Sequence, residues 1–69
     1  MIQFDVLDYG VYYEGNHIAD FDELAHAKMF AQQLAIHEEE DVVVVNNHTG
    51  EIVTEFLVQF NTTIIEVEP

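Results

Sequence analysis

Apolar residues recur at helical spacing only between Leu24 and Ala35, and the stretches on either side are rich in Val, Ile, Phe and Tyr. One helix between β-rich flanks constrains the fold most, because a helix with a single apolar stripe must bury that stripe against a sheet. At 100° per residue, Leu24, Ala27, Phe30, Ala31, Leu34 and Ala35 share one arc, the face expected against that sheet. Ala25, Met29 and Ile36 fall on a second, narrower stripe that the same sheet cannot cover, so Met29 and Ile36 are expected to make a dimer or partner contact. Asp20 or Asp22 is expected to cap the helix, with Asp20 and Glu23 forming a loose capping box, and the helix to run from Asp22 to His37.

The flanks read as strands. Ile2 to Tyr13 forms the first, bent or bulged near Gly10; Glu14-Gly15-Asn16 turns the chain, with Gly and Asn taking positive φ, into a short second strand from His17 to Phe21. After the helix, Val42 to Val45 is a continuous β-branched run suited to a central strand. Asn46 to Gly50 turns again, and Ile52, Thr54, Phe56, Val58 and Phe60 alternate with Val53, Glu55, Leu57 and Gln59 along a long fourth strand. Asn61-Thr62-Thr63 interrupts, and Ile64 to Glu68 adds a fifth short strand or an arm. The expected fold is one α+β domain over residues 1–69, ββαββ, with a mainly antiparallel sheet and one helix on a face. A single helix leaves the other face open, and Leu7, Tyr9, Val11, Val53 and Leu57, assigned to it, predict a homodimer.

Absent residue types bound the chemistry. There is no Cys, Ser or Arg, so thiolate and serine nucleophiles, disulfides and guanidinium clamps are excluded, and a chain this short has little volume for a catalytic cleft. No enzyme activity is expected. Four histidines invite a metal, but His26 and His37 lie about 16 Å apart along a helix, and His17 and His48 sit in turns. Asp20-Phe21-Asp22-Glu23 would attract calcium only weakly, so no cofactor or metal is expected. The sequons at Asn47 and Asn61 read as ordinary loop residues. The start lacks a basic leader and no apolar run reaches the roughly 20 residues that span a bilayer, which predicts a cytoplasmic protein without membrane contact.

Charge is the most informative functional signal. Fourteen carboxylates face one lysine, for a net charge of −13, which repels nucleic acid and anionic lipid. A body on the order of 28 Å across spans a length over which duplex DNA carries about 16 charges, so the chain approaches the charge density of DNA. Glu38-Glu39-Glu40-Asp41 follows the helix, where four acids oppose the dipole at roughly 0.3 to 1 kcal/mol each. Local rules broken without compensation mark expected function. These four, with Glu14, Asp20, Asp22, Glu23, Glu51, Glu55, Glu66 and Glu68, are the carboxylates expected to stand in for phosphates, Glu66 and Glu68 repeating at about 6.6 Å along a strand. Two other readings use the same residues: a small acidic interaction module in a larger assembly, and a surface adapted to high salt.

Tyr12-Tyr13-Glu14-Gly15-Asn16-His17-Ile18-Ala19-Asp20-Phe21-Asp22-Glu23-Leu24, the Ala-rich helix and Val42 to Glu51 together resemble the small, acidic, cysteine-free proteins that bacteriophages make to disable a host protein. The likeness covers size, charge and pattern along the chain. It implies an inhibitor that presents carboxylates to a DNA-binding surface inside an infected bacterium. Targets of such DNA mimics include gyrase, the first expectation here, and restriction enzymes, CRISPR effectors, RNA polymerase and nucleoid proteins.

Overall fold

A computed structural model describes residues 7–59 and 63–68. Five strands and one helix follow in the order β1 (Tyr9–Tyr13), β2 (Asn16–Phe21), α1 (Leu24–Glu38), β3 (Val42–Asn46), β4 (Ile52–Gln59) and β5 (Thr63–Val67). All pairings are antiparallel, in the spatial order β2-β1-β3-β4-β5, so α1 carries the chain across one face and returns β3 beside β1. The valine run is thus the middle strand, where β-branched side chains pack well on both faces of the pleat. β5 pairs with β4 along its length and is a strand, not an arm.

Ala27, Ala31 and Ala35 are fully buried at intervals of four. Small side chains along that seam let the helix backbone lie close to the sheet, which supplies Val11, Val42, Val44 and Phe56 to the core. Leu24, Phe30 and Leu34 flank the alanines half-buried, as the helical arc predicts. Ala25, Met29 and Ile36 point away, Met29 65% and Ile36 51% exposed.

The structure corrects four local expectations. First, α1 starts at Leu24 after a Glu23 cap residue that makes no side-chain cap, because Asp20 belongs to β2 and its carboxylate bonds elsewhere. Second, Glu14 and Gly15 take the positive φ values, 51° and 79°, forming a two-residue turn between Tyr13 and Asn16, and Asn16 already pairs in β2. Third, the β1 irregularity lies between Val11 and Tyr12, which skips Ile18, while Gly10 serves close packing: a Cβ there would sit 2.6 Å from Asn47 Oδ1.

The fourth correction concerns the open face. Val11 is fully buried beneath the helix, and Tyr9 and Val53 pack against the core, because β1 presents its odd-numbered residues to α1. A register shift at Val44/Val45 pairs Val44 with Thr54 but Val45 with Ile52, sending Ile52 outward. The open face therefore carries Tyr12, Val43, Val45, Ile52 and Leu57, so only Leu57 of the strand residues first assigned there belongs. Of the first strand expected from Ile2 to Tyr13, the part before Leu7 lies outside the described residues and β1 begins at Tyr9; the expected end of the fourth strand at Phe60 and the interruption at Asn61 and Thr62 also lie outside them, while Thr63 already belongs to β5.

Candidate partner-binding surface

Strand direction sorts the carboxylates into two groups. The β1–β2 turn, the end of α1 and the start of β3 meet at one end of the sheet, bringing Glu14 together with Glu38, Glu39 and Glu40. The Tyr13 hydroxyl lies among them: partial burial, then the charges of Glu14, Glu38 and Glu40 and a hydrogen bond with Glu38, push its pKa above the ordinary tyrosine value. Glu39 adopts left-handed backbone (φ 56°, ψ 38°) and donates its N–H to Ala35 O at 2.9 Å, closing the helix in a conformation that glycine ordinarily fills. Asp41, expected to face a partner, accepts the Val58 N–H at 2.9 Å where β4 runs past the end of β3, so one carboxylate oxygen serves the fold.

The opposite end holds Asp8, Asp20, Asp22, Glu23 and Glu51. Here Asn47 ties three segments together: its backbone N–H donates to Asp8 O, and its amide donates to Leu7 O at 2.8 Å and to Asp20 Oδ1 at 2.9 Å. His17 Nε2 also meets Asp20 Oδ1 at 2.7 Å. Partial burial works to raise the Asp20 pKa, but the bonds from Asn47 and His17 outweigh it and hold the carboxyl below its ordinary value. His48 Nε2 reaches Asp8 Oδ1 at 2.7 Å, His26 lies 3.3 Å from Glu23, and His37 lies 3.0 Å from Glu38. Each of the four histidines thus has a carboxylate partner. Among the described residues, no group of three or more His, Asp or Glu side chains converges as a metal site.

Three expected carboxylates stand apart from both ends. Glu66 and Glu68 both reach Lys28 Nζ, at 3.0 and 3.3 Å, because the Phe56–Glu66 pairing turns Glu66 toward the helix. They share the chain's single lysine instead of forming a phosphate-like row, and they hold the Lys28 pKa above its ordinary value, the Glu66 hydrogen bond leading. Glu55 sits within the open sheet face, paired across from Val43 on one side and Val67 on the other. It is half-buried and makes no ion pair or side-chain hydrogen bond among the described residues. Glu51 and Glu55 border a shallow depression with Gly50, Ile52 and Val53.

Met29 borders a shallow apolar groove of about 340 Å³ that also includes Phe21, His26, Phe30 and Gln33, while Ile36 is exposed farther along α1. The sequence reading missed this groove, which joins Phe21 of β2 to the side of α1, and it missed the Asn47 tie, whose partners Asp20 and Leu7 lie 27 and 40 residues away in the chain. No helix among the described residues is long and apolar enough to cross a membrane. The chain has no significant match to any protein-family model, curated protein or solved structure.

Proposed function

We propose that this protein is a DNA-mimic inhibitor of the phage type: it occupies the DNA-binding surface of a basic host protein in an infected bacterial cell and blocks DNA competitively, without catalysis. The observation that carries this reading is the division of carboxylates between the two ends of one helix. Fifteen residues of α1 place those ends about 22 Å apart, a length over which duplex DNA carries about 13 charges, and the two contact groups hold eight of the fourteen carboxylates. Glu14, Glu38, Glu39 and Glu40 form the first contact group, with Asp20, Asp22, Glu23 and Glu51 the second. The α1 sequence has no carboxylate from Leu24 to His37, which suits Met29 and Ile36 to homodimer contact because two copies meeting there bring few like charges together.

Gyrase is the first target to test, followed by RNA polymerase, a restriction enzyme, a CRISPR effector and a nucleoid protein. A labelled duplex bound to each is challenged with this protein over a range of salt. The expected result is displacement from one target, with affinity falling steeply as salt rises and weakening at least tenfold in a Glu38→Gln, Glu39→Gln, Glu40→Gln variant. Displacement unchanged by that variant, or none from any target, refutes the reading. The exposed groove beside Met29 favours one alternative, an interaction module whose charge serves solubility. It predicts binding that survives high salt and is lost in Met29→Lys or Ile36→Lys.

A further inference from the structure

The sheet face turned away from α1 has no covering layer among the described residues, and its side chains can be read from the strand register. Pairing places Tyr12, Val43, Glu55 and Val67 in one row across four strands. Val45 and Ile52 lie beside that row on one side, Leu57 and Ile65 on the other. Ile52 is 43% and Val67 40% exposed, while the rest are half-buried. The result is a continuous apolar surface spanning β1, β3, β4 and β5, with one carboxylate inside it that has no partner among the described residues, and acidic groups at both ends of the strands. Apolar surface of this kind on a small domain marks contact with another molecule.

Glu55 decides between occupants. A second copy laid on this face buries two Glu55 carboxylates and brings no Lys or Arg to them, because the chain has no Arg and its one lysine lies on the opposite side, held by Glu66 and Glu68. His17 ends the same row but is bonded to Asp20. Burying an unpaired carboxylate is unfavourable. A partner that is apolar and cationic on the same face meets both demands: its hydrophobic side chains cover the valine, leucine and isoleucine surface, and one Lys or Arg reaches Glu55.

We propose that the open sheet face binds a cationic amphipathic helix of another protein, seated on Val43, Leu57 and Ile65 and anchored by a basic side chain at Glu55. This inference does not depend on DNA mimicry: Glu55 was among the acids first expected to stand in for phosphates, but it lies apart from the two end groups to which mimicry is assigned, Glu14 with Glu38, Glu39 and Glu40, and Asp20 with Asp22, Glu23 and Glu51.

The test uses the intact protein with three synthetic peptides, each carrying one Trp as a reporter in a chain that has none: an amphipathic Leu/Lys helix, an oligolysine of equal charge, and a Leu/Gln helix without charge. The expected result is a blue shift and saturable binding for the Leu/Lys helix, at least tenfold weaker binding of the other two, and a loss of at least fivefold in Glu55→Gln for the Leu/Lys helix only. Leu57→Glu and Ile65→Glu, each checked for folding by circular dichroism, separate the causes. Docking on the face predicts at least tenfold weaker binding in both, whereas attraction by net charge alone predicts equal or tighter binding because each adds a negative charge. Equal binding of oligolysine, or Leu/Lys binding undiminished in the two Glu variants, overturns the proposal. So does a dimer, measured by sedimentation, that these two variants dissociate, because the occupant is then a second copy.

Discussion

Replacing Glu39 by Gly separates what this residue costs the fold from what it contributes to binding. The residue following α1 has φ 56° and ψ 38°, a conformation that costs an L-residue about 1 kcal/mol relative to glycine. Its carboxylate also lies at the negative end of the helix dipole, unfavourable by about 0.3 to 1 kcal/mol at low salt. The N–H to Ala35 bond at 2.9 Å is a backbone contact and survives the substitution. Glu39→Gly should therefore stabilise the domain by about 1.5 kcal/mol, a rise in Tm on the order of 10 °C for a chain of this size. Urea unfolding followed by circular dichroism, at constant m-value, measures it. Glu39→Gln keeps the side chain and removes the charge, so it should recover only the electrostatic part, under about 1 kcal/mol and vanishing at high salt. Destabilisation by Gly, or equal gains from Gly and Gln, would refute the backbone argument. A more stable Gly variant that binds its target less well would show function holding an unfavourable residue in place.

Three further outcomes follow from the same structure. Thr54 is fully buried and its Oγ1 has no hydrogen-bond partner among the described residues, so Thr54→Val should leave stability unchanged or raise it by about 1 kcal/mol, measured by thermal unfolding. Gly10→Ala forces a Cβ against Asn47 Oδ1, Asp20 Oδ1 and Tyr12 Cε1, at 2.6, 3.1 and 3.1 Å, and should destabilise by about 1 to 3 kcal/mol, measured by urea unfolding. Because the folded Asp20 carboxyl titrates below its ordinary value, its contribution is present above that value and lost as pH falls through the lower folded value; Asp20→Asn should flatten the acid limb of a stability–pH profile in that window.

The elements were largely legible because their signals are local. The alanine arc, the glycine turn and the valine run each fix hydrogen bonding within a few residues, and the structure has the expected order of strands and helix. The candidate surface was legible only in part. Glu14 and the Glu38–Glu40 run were read as exposed acids and they meet at one end, but Glu66 and Glu68 were read as a free pair although they hold Lys28, some forty residues away in sequence. Asp20 or Asp22 was read as the helix cap, yet neither caps α1, and Asn47, brought in by the β3–β4 turn, claims the Asp20 carboxylate. Such contacts follow from strand order, which period-two patterning does not encode.

By itself the sequence determined the class of fold and the sign of the surface: one helical stripe demands one sheet, and a single lysine cannot neutralise fourteen carboxylates in any conformation. Tertiary structure alone decided which face of each strand the helix covers. Alternation specifies two faces but not which is inner, and a single-residue shift at Val44/Val45 reverses the assignment for Ile52 and Val53. Where the charges gather was settled the same way, because proximity between Glu14 and Glu40, or between Asp8 and His48, arises only once the chain has doubled back through β1, α1 and β3.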